Sequence, residues 1–126
     1  MTDIDHESVI EELIDPEVDF DVRRGPFIDG DPADVVRIKA DGGFEPQYEF
    51  GGAENRRDDV QVLVRSRHYA DGKSVAEAIR QKLSPAIPEG YTSITVSQPP
   101  SHINLDDDDR HYFSARYLCR IRDDKE

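Results

Sequence analysis

The stretch VQVLVRSRHYADGKSVAEAIRQKL, residues 60–83, changes its hydrophobic period part-way along. Val60, Val62 and Val64 recur at every second position, the period of a strand. Leu63 lies between them, so the strand reads as central and covered on both faces. Beyond the junction, Val75, Ala78, Ile79 and Leu83 fall on one helical stripe. SVAE at 74–77 fits a capping box, with Ser74 serving the third amide and Glu77 reaching back. A helix that begins near Tyr69 and carries Gly72 inside it is the other reading. Arg65, Arg67, His68 and Tyr69 crowd the corner between strand and helix.

Working outward, residues 1–16 form an N-terminal helical segment. Ile4, Val9, Ile10, Leu13 and Ile14 recur near helical spacing over 3–14, and Pro16 ends the helix. Val18, Phe20 and Val22 alternate with acids as a half-buried strand. Two glycines and two prolines mark RRGPFIDGDPAD (23–34) as a loop. VVRIKA (35–40) is a second strand, broken by Gly42 and Gly43. Residues 42–59 form an apolar β-arm or an irregular loop, with Phe44, Tyr48 and Phe50 between two Gly-Gly pairs. Such aromatics in a polar, Gly-rich segment suit a surface that docks elsewhere, or they fold back on the chain's own core. After the second helix come a Pro-rich turn (83–91), a strand at 92–98, a loop at 99–110 and a last strand at 111–122. Residues 123–126 are a frayed tail.

This order predicts an α+β fold in a single domain spanning 1–126. It has one mixed, mostly antiparallel sheet of about five strands. An N-terminal helix and a second amphipathic helix pack on it, and an extended β-arm or loop projects.

Leu, Ile, Val and Phe number 30 of 126 residues, above the roughly 20 per cent below which a charged chain stays disordered. The resulting core is modest, so association with partners helps. Against 28 acidic residues stand 16 basic ones, for a net charge of −12. Self-repulsion on that scale weakens a compact state in dilute buffer. At molar salt the Debye length is about 3 Å and the repulsion fades. The composition therefore points to a salt-rich cytoplasm, as in a halophilic archaeon. An acidic surface also disfavours DNA binding through counterion release. The single cysteine, Cys119, sits in an alternating strand pattern that buries it as an inert thiol. The acidic N-terminus lacks the apolar stretch of a secretory signal, and no apolar run has the length to span a membrane.

Chemistry-bearing patterns are weak. Asp106–Asp109 offers oxygen ligands for calcium or magnesium, but adjacent carboxylates in so acidic a chain read better as a solvated face. DGDPAD (29–34) opens like a calcium loop, yet Ala40 stands where the twelfth-position Glu is needed, so it reads as a turn. His6, His68, His102 and His111 show no helical zinc spacing. Nucleophile-elbow, phosphate-loop and dinucleotide patterns are missing from the sequence. Arg65, Arg67 and His68 could hold an anion. With 28 carboxylates available, Arg65 reads better as the partner of an acid across the sheet or across a subunit boundary. No catalytic residue, metal ligand or cofactor is expected.

PADVVRI (32–38), the Gly-Gly pair, the aromatic arm, VQVLVRSRHYADG (60–72) and a helix ending AIRQKL (78–83) together resemble the tail terminators of long-tailed phages and archaeal tailed viruses. These are also called tail-completion or minor capsid proteins. The resemblance covers residues 27–122 and rests on structural rather than catalytic motifs. It implies a small α+β subunit without reaction or cofactor that closes, usually as six copies, into a ring. The ring caps the tail tube, stops its growth, meets the head-side stopper or connector, and lets viral DNA pass without specific binding. Its place is the head–tail junction of a virion assembled in the host cytoplasm, with no membrane partner. Candidate interface residues are Phe44, Pro46, Tyr48 and Phe50 in the arm, and Arg65, Arg67 and Tyr69 at the corner. The acidity and the Asp106–Asp109 run depart from the family pattern. Another neck component, a stopper or head–tail adaptor, is the nearest alternative. A small acidic cytosolic enzyme or ligand-binding domain is the more distant one.

Overall fold

A computed structural model describes residues 5–43, 47–48, 54–106 and 108–123. The elements run α1 (His6–Ile14), β1 (Asp21–Arg24), β2 (Val35–Gly43), β3 (Gln47–Tyr48), β4 (Glu54–Ser66), α2 (Tyr69–Leu83), β5 (Tyr91–Leu105) and β6 (His111–Asp123). The sheet order is β1-β2-β4-β6-β5, with the short β3 also paired to β4. Among the described residues, only the β1–β2 pair is parallel. The fold is thus the expected mixed α+β sheet with two helices on it.

One apolar core lies between the sheet and the helices. Val36, Ile38, Val60, Val62 and Val64 meet Ile10 and Ile14 of α1 and Ala76, Ile79 and Leu83 of α2. The register lines these strands up on a single face: Val36 opposes Val64, which opposes Phe113, and Ile38 opposes Val62, which opposes Ala115. Burial of these side chains stabilises the fold by about 1.5–3 kcal/mol each before conformational entropy is set against it. The hollow between α2 and the sheet, lined by Val62, Ile79 and Tyr117 among others, has no room for water.

The opposite face is covered differently. Because β1 and β2 are parallel neighbours, the chain must travel back along the sheet between them. The connection, residues 25–34, crosses the face opposite the helices instead of forming a helix. Asp31 lies at its centre. Its carboxylate accepts from Arg37 Nε at 2.9 Å, from a second Arg37 nitrogen, from Arg23 at 3.2 Å and from the Ile28 amide at 3.1 Å. The Arg37 hydrogen bond leads the causes that hold the Asp31 carboxyl below its usual range. Arg37 also donates to the Arg24 carbonyl at 2.7 Å. The loop that opens like a calcium site is therefore an arginine-clasped crossover.

Several expected boundaries move, each for a backbone reason. Helix α2 begins at Tyr69 with His68 at its N-cap and no side-chain cap, so the Ser74 box is not used. Glu77 instead accepts from Arg80 at 3.0 Å. Gly72 sits inside the helix because a β-carbon there would lie 2.6 Å from the Phe113 ring and 3.1 Å from Ser66 Cβ. Strand β5 runs to Leu105, through Pro99 and Pro100, where a loop was expected. It is an edge strand, where proline is tolerated, and register shifts absorb the irregularity. Strand β2 likewise continues to Gly43 through a shift after Ala40. Strand β4 starts at Glu54 because β6 pairs with it as far as Asp123, so part of the expected arm, and the first tail residue, belong to the sheet. Strand β1 starts at Asp21, leaving Val18 and Phe20 packed on the core just before it. Pro16 sits in a short 3-10 turn that prolongs α1 by one turn.

Candidate functional site

The strand-to-helix corner sits at one end of the sheet, where Ser66 pairs with His111 and β5 closes the hairpin. Arg65, though at the corner, is buried at 5% exposure. It donates to the carbonyl of Pro32 at 2.7 Å and to those of Asp31 and Ala33 at 3.4 Å, and its guanidinium lies 5.0 Å from the centre of the Phe27 ring. Its partners in the chain are loop carbonyls and a ring face, rather than the expected carboxylate. Arg67 and His68 are exposed. The Arg67 amide donates to Asp34 at 3.0 Å, which ties the corner to the crossover loop.

Tyr69 opens α2 and remains 46% exposed. Its ring packs against His102, His111 and Phe113, with centroids 5.3, 5.7 and 5.3 Å away. Ile103 and Leu105 of the same hairpin are also exposed, at 55% and 50%. This end thus presents an aromatic cluster with aliphatic neighbours, a composition suited to protein contact. The register that joins His102 to Phe113 is set by strand shifts and leaves no linear pattern.

The arm lies at the other end of β4. Tyr48 is in β3, opposite Glu54. Phe44, Pro46 and Phe50 lie outside the described residues. From Glu54 to Arg65 the strand covers about 36 Å, at roughly 3.3 Å per residue. Of the candidate interface residues that are described, Tyr48 thus lies at one end of β4 and Arg65, Arg67 and Tyr69 at the other.

Asp106 is no solvated carboxylate. It accepts from the amides of Asp108 and Arg110 at 3.0 and 2.9 Å, from Arg110 Nε at 2.8 Å and from the Tyr112 hydroxyl at 2.9 Å. Burial pushes its pKa up, but the Arg110 amide, Tyr112, the Arg110 guanidinium and the Asp108 amide together outweigh it and hold it at about 2. It staples the turn of the β5–β6 hairpin, while Asp108 and Asp109 face solvent. Among the described residues, no three His, Cys, Asp or Glu side chains gather as a metal cluster, and no helix is long and apolar enough to cross a membrane.

One polar constellation escaped the sequence. His6 Nε2 lies 2.5 Å from Asp58 Oδ2, and its Nδ1 lies 2.6 Å from the Tyr91 hydroxyl. This fits an imidazole that donates to Asp58 and accepts from Tyr91. Burial, followed by the charges of Cys119, Asp58 and Asp5, raises the Tyr91 pKa and keeps it a donor. All three side chains are under a tenth exposed, so they fasten α1 to the sheet and do not meet a substrate. They are 52 and 85 residues apart along the chain, which leaves no local signal. Cys119 faces Asp58 across β4 and β6. Burial, then Asp58 and Asp59, pushes its thiol up to about 12, consistent with an inert core cysteine. An open groove of about 370 Å³ beside α2 is lined by Glu17, Asp19, Asp71 and Ser74 with Val18, Phe20, Val75 and Ala78. Glu17 is already paired with Lys82 at 3.4 Å, and none of these lining residues is a histidine or cysteine.

The family model described as bacteriophage tail terminator protein matches residues 19–123. Among solved structures, the chain is similar to one from the virion of a native gene transfer agent particle, with a TM-score of 0.60 at 12% identity. The likeness covers 92% of this chain and 86% of that one. None of the curated protein sequences matches.

Proposed function

Because this chain belongs to the bacteriophage tail terminator family, a family of structural virion proteins, we propose that it closes into a ring that caps the tail tube and joins it to the head-side connector. The observation that carries this reading is the family match itself, which takes in all six strands and α2. The ring halts tube growth by covering the last tube layer, and its other face receives the stopper or connector. Six copies is the stoichiometry that the family resemblance implies. The site lies at the head–tail junction of the virion.

A ring needs two different patches on each subunit, since a head-to-tail contact pairs unlike surfaces and closes when its rotation is right. The segment around Tyr48 and the Tyr69 corner, at opposite ends of β4, supply such a pair. In this arrangement Tyr69 and Arg67 meet the arm of a neighbour, and Arg65 supports them from beneath. The net charge of −12 suits a channel through which DNA slides without being held. It also suits assembly in molar salt, as in a halophilic host.

Native mass spectrometry and negative-stain imaging across a KCl series test this reading. Rings should form, with a stability that rises with salt, and Tyr69→Asp should leave folded single subunits. A chain that stays monomeric at high concentration in both dilute and molar KCl would count against the proposal. So would a channel lined mainly by Lys and Arg.

A further inference from the structure

Strands β5 and β6 bring His102 and His111 together, with Nε2 of the first 3.1 Å from Nδ1 of the second. Their centroids are 5.2 Å apart and the ring planes meet at 49°. The rings therefore approach through their nitrogens rather than stacking. Tyr69 packs on both rings, and Phe113 packs on His102 at 5.3 Å. These neighbours hold the imidazoles by ring contact.

The separation has a chemical meaning beyond a hydrogen bond. Imidazole nitrogens bind late first-row metals at about 2.0–2.1 Å. Two such nitrogens 3.1 Å apart subtend about 98° at the metal, between the octahedral and tetrahedral angles. We propose that His102 and His111 form a two-imidazole site for a late first-row divalent cation, Zn²⁺, Ni²⁺ or Cu²⁺, with water completing the coordination. Imidazole favours these ions over magnesium and calcium, which take oxygen ligands. The acidic surface raises the local concentration of any cation.

The proton count closes without loss. In the neutral pair, one facing nitrogen carries the hydrogen that bridges to the other. On metal binding, that ring shifts its proton to its outward nitrogen. A turn of the two surface rings off the N–N line then lets both lone pairs converge on the metal, and both rings stay neutral. The bound cation cross-links β5 and β6 beside the start of α2, next to exposed Ile103 and Leu105. The pairing rests on the hairpin's own geometry and stands whether or not the chain forms a ring.

The test is calorimetric titration of Zn²⁺ into the full chain, in a non-chelating buffer with KCl, beside the variants His102→Asn, His111→Asn and His68→Asn. The expected result is one Zn²⁺ per chain, weakened at least tenfold by either hairpin substitution and unchanged by His68→Asn. Because the hairpin rings are at the surface, circular dichroism should show all variants folded. Cu²⁺ should bind more tightly than Zn²⁺. Its electron paramagnetic resonance spectrum should carry two imidazole nitrogens, reduced to one in each hairpin variant. Equal Zn²⁺ affinity in His102→Asn and the parent chain, or a Cu²⁺ spectrum without nitrogen coupling, overturns the proposal.

Discussion

The two faces of this sheet are held by different forces. On the helix face, valines of β2 and β4 meet isoleucines and a leucine of α1 and α2 in a dry core. On the other, a ten-residue crossover is held by Arg23, Arg37 and Arg65 around Asp31 and its neighbouring carbonyls. The first is non-directional and tolerates small shifts. The second depends on particular atoms in particular places, and on a carboxylate that stays ionised. A small domain with a modest apolar content can thus cover both sides of a sheet by spending most of its hydrophobic residues on one.

The largest expected effect breaks the helix face. Ile79→Ala should cost about 3–4 kcal/mol in urea unfolding, through lost burial and the cavity left behind. The loss should be nearly the same at pH 7 and pH 3, since Ile79 is apolar and core-buried. Asp31→Ala should cost about 3 kcal/mol at neutral pH by leaving the buried Arg37 without its main partner. That gap should behave differently with acid. The folded pKa of Asp31 is depressed, so its contribution is present above the unfolded carboxylate range near pH 4 and is lost as pH falls through the folded value. A parallel pH series of the two variants against the parent chain separates the faces. If the Asp31→Ala gap persists unchanged at pH 2, the ionic account of the crossover is wrong.

Smaller effects sharpen the picture of the helix face. Gly72→Ala improves helix propensity by about 1 kcal/mol but forces a methyl against Phe113, at a cost of about 1–3 kcal/mol. A net loss of about 1 kcal/mol in chemical denaturation is expected. The smallest effect belongs to Tyr117→Phe. The Tyr117 hydroxyl is buried without a hydrogen-bond partner among the described residues, and burial raises its pKa. Removing it should be neutral or stabilising, by up to about 1 kcal/mol. A clear loss of stability in that variant would mean that a buried water serves the hydroxyl.

The same contrast explains what could be read in advance. Val60, Val62 and Val64 announce their strand, and the Ile79–Leu83 stripe its helix, because a face buried by apolar side chains imprints its period on the sequence. The crossover leaves no such imprint. Arg37 and Arg65 alternate with apolar residues like any exposed position, yet both are buried, because the loop that covers them is polar. The corner Tyr69 was legible as a site candidate from its place at the change of period. Its partners were not: His102 falls in a stretch whose two prolines argued for a loop, so nothing placed it beside His111 at the start of the last strand.

By itself, the sequence determined the element types, the apolar face, the buried thiol and a family resemblance that a match over residues 19–123 now shows. These properties depend on local periodicity and composition, which a linear chain records. Only the tertiary structure decided the rest: the parallel β1–β2 pair, the arginine clasp, the His6–Asp58–Tyr91 fastening and the facing imidazoles of the hairpin. Those depend on register and crossover direction, which bring distant residues to hydrogen-bonding distance. Geometry of that kind leaves no period to read.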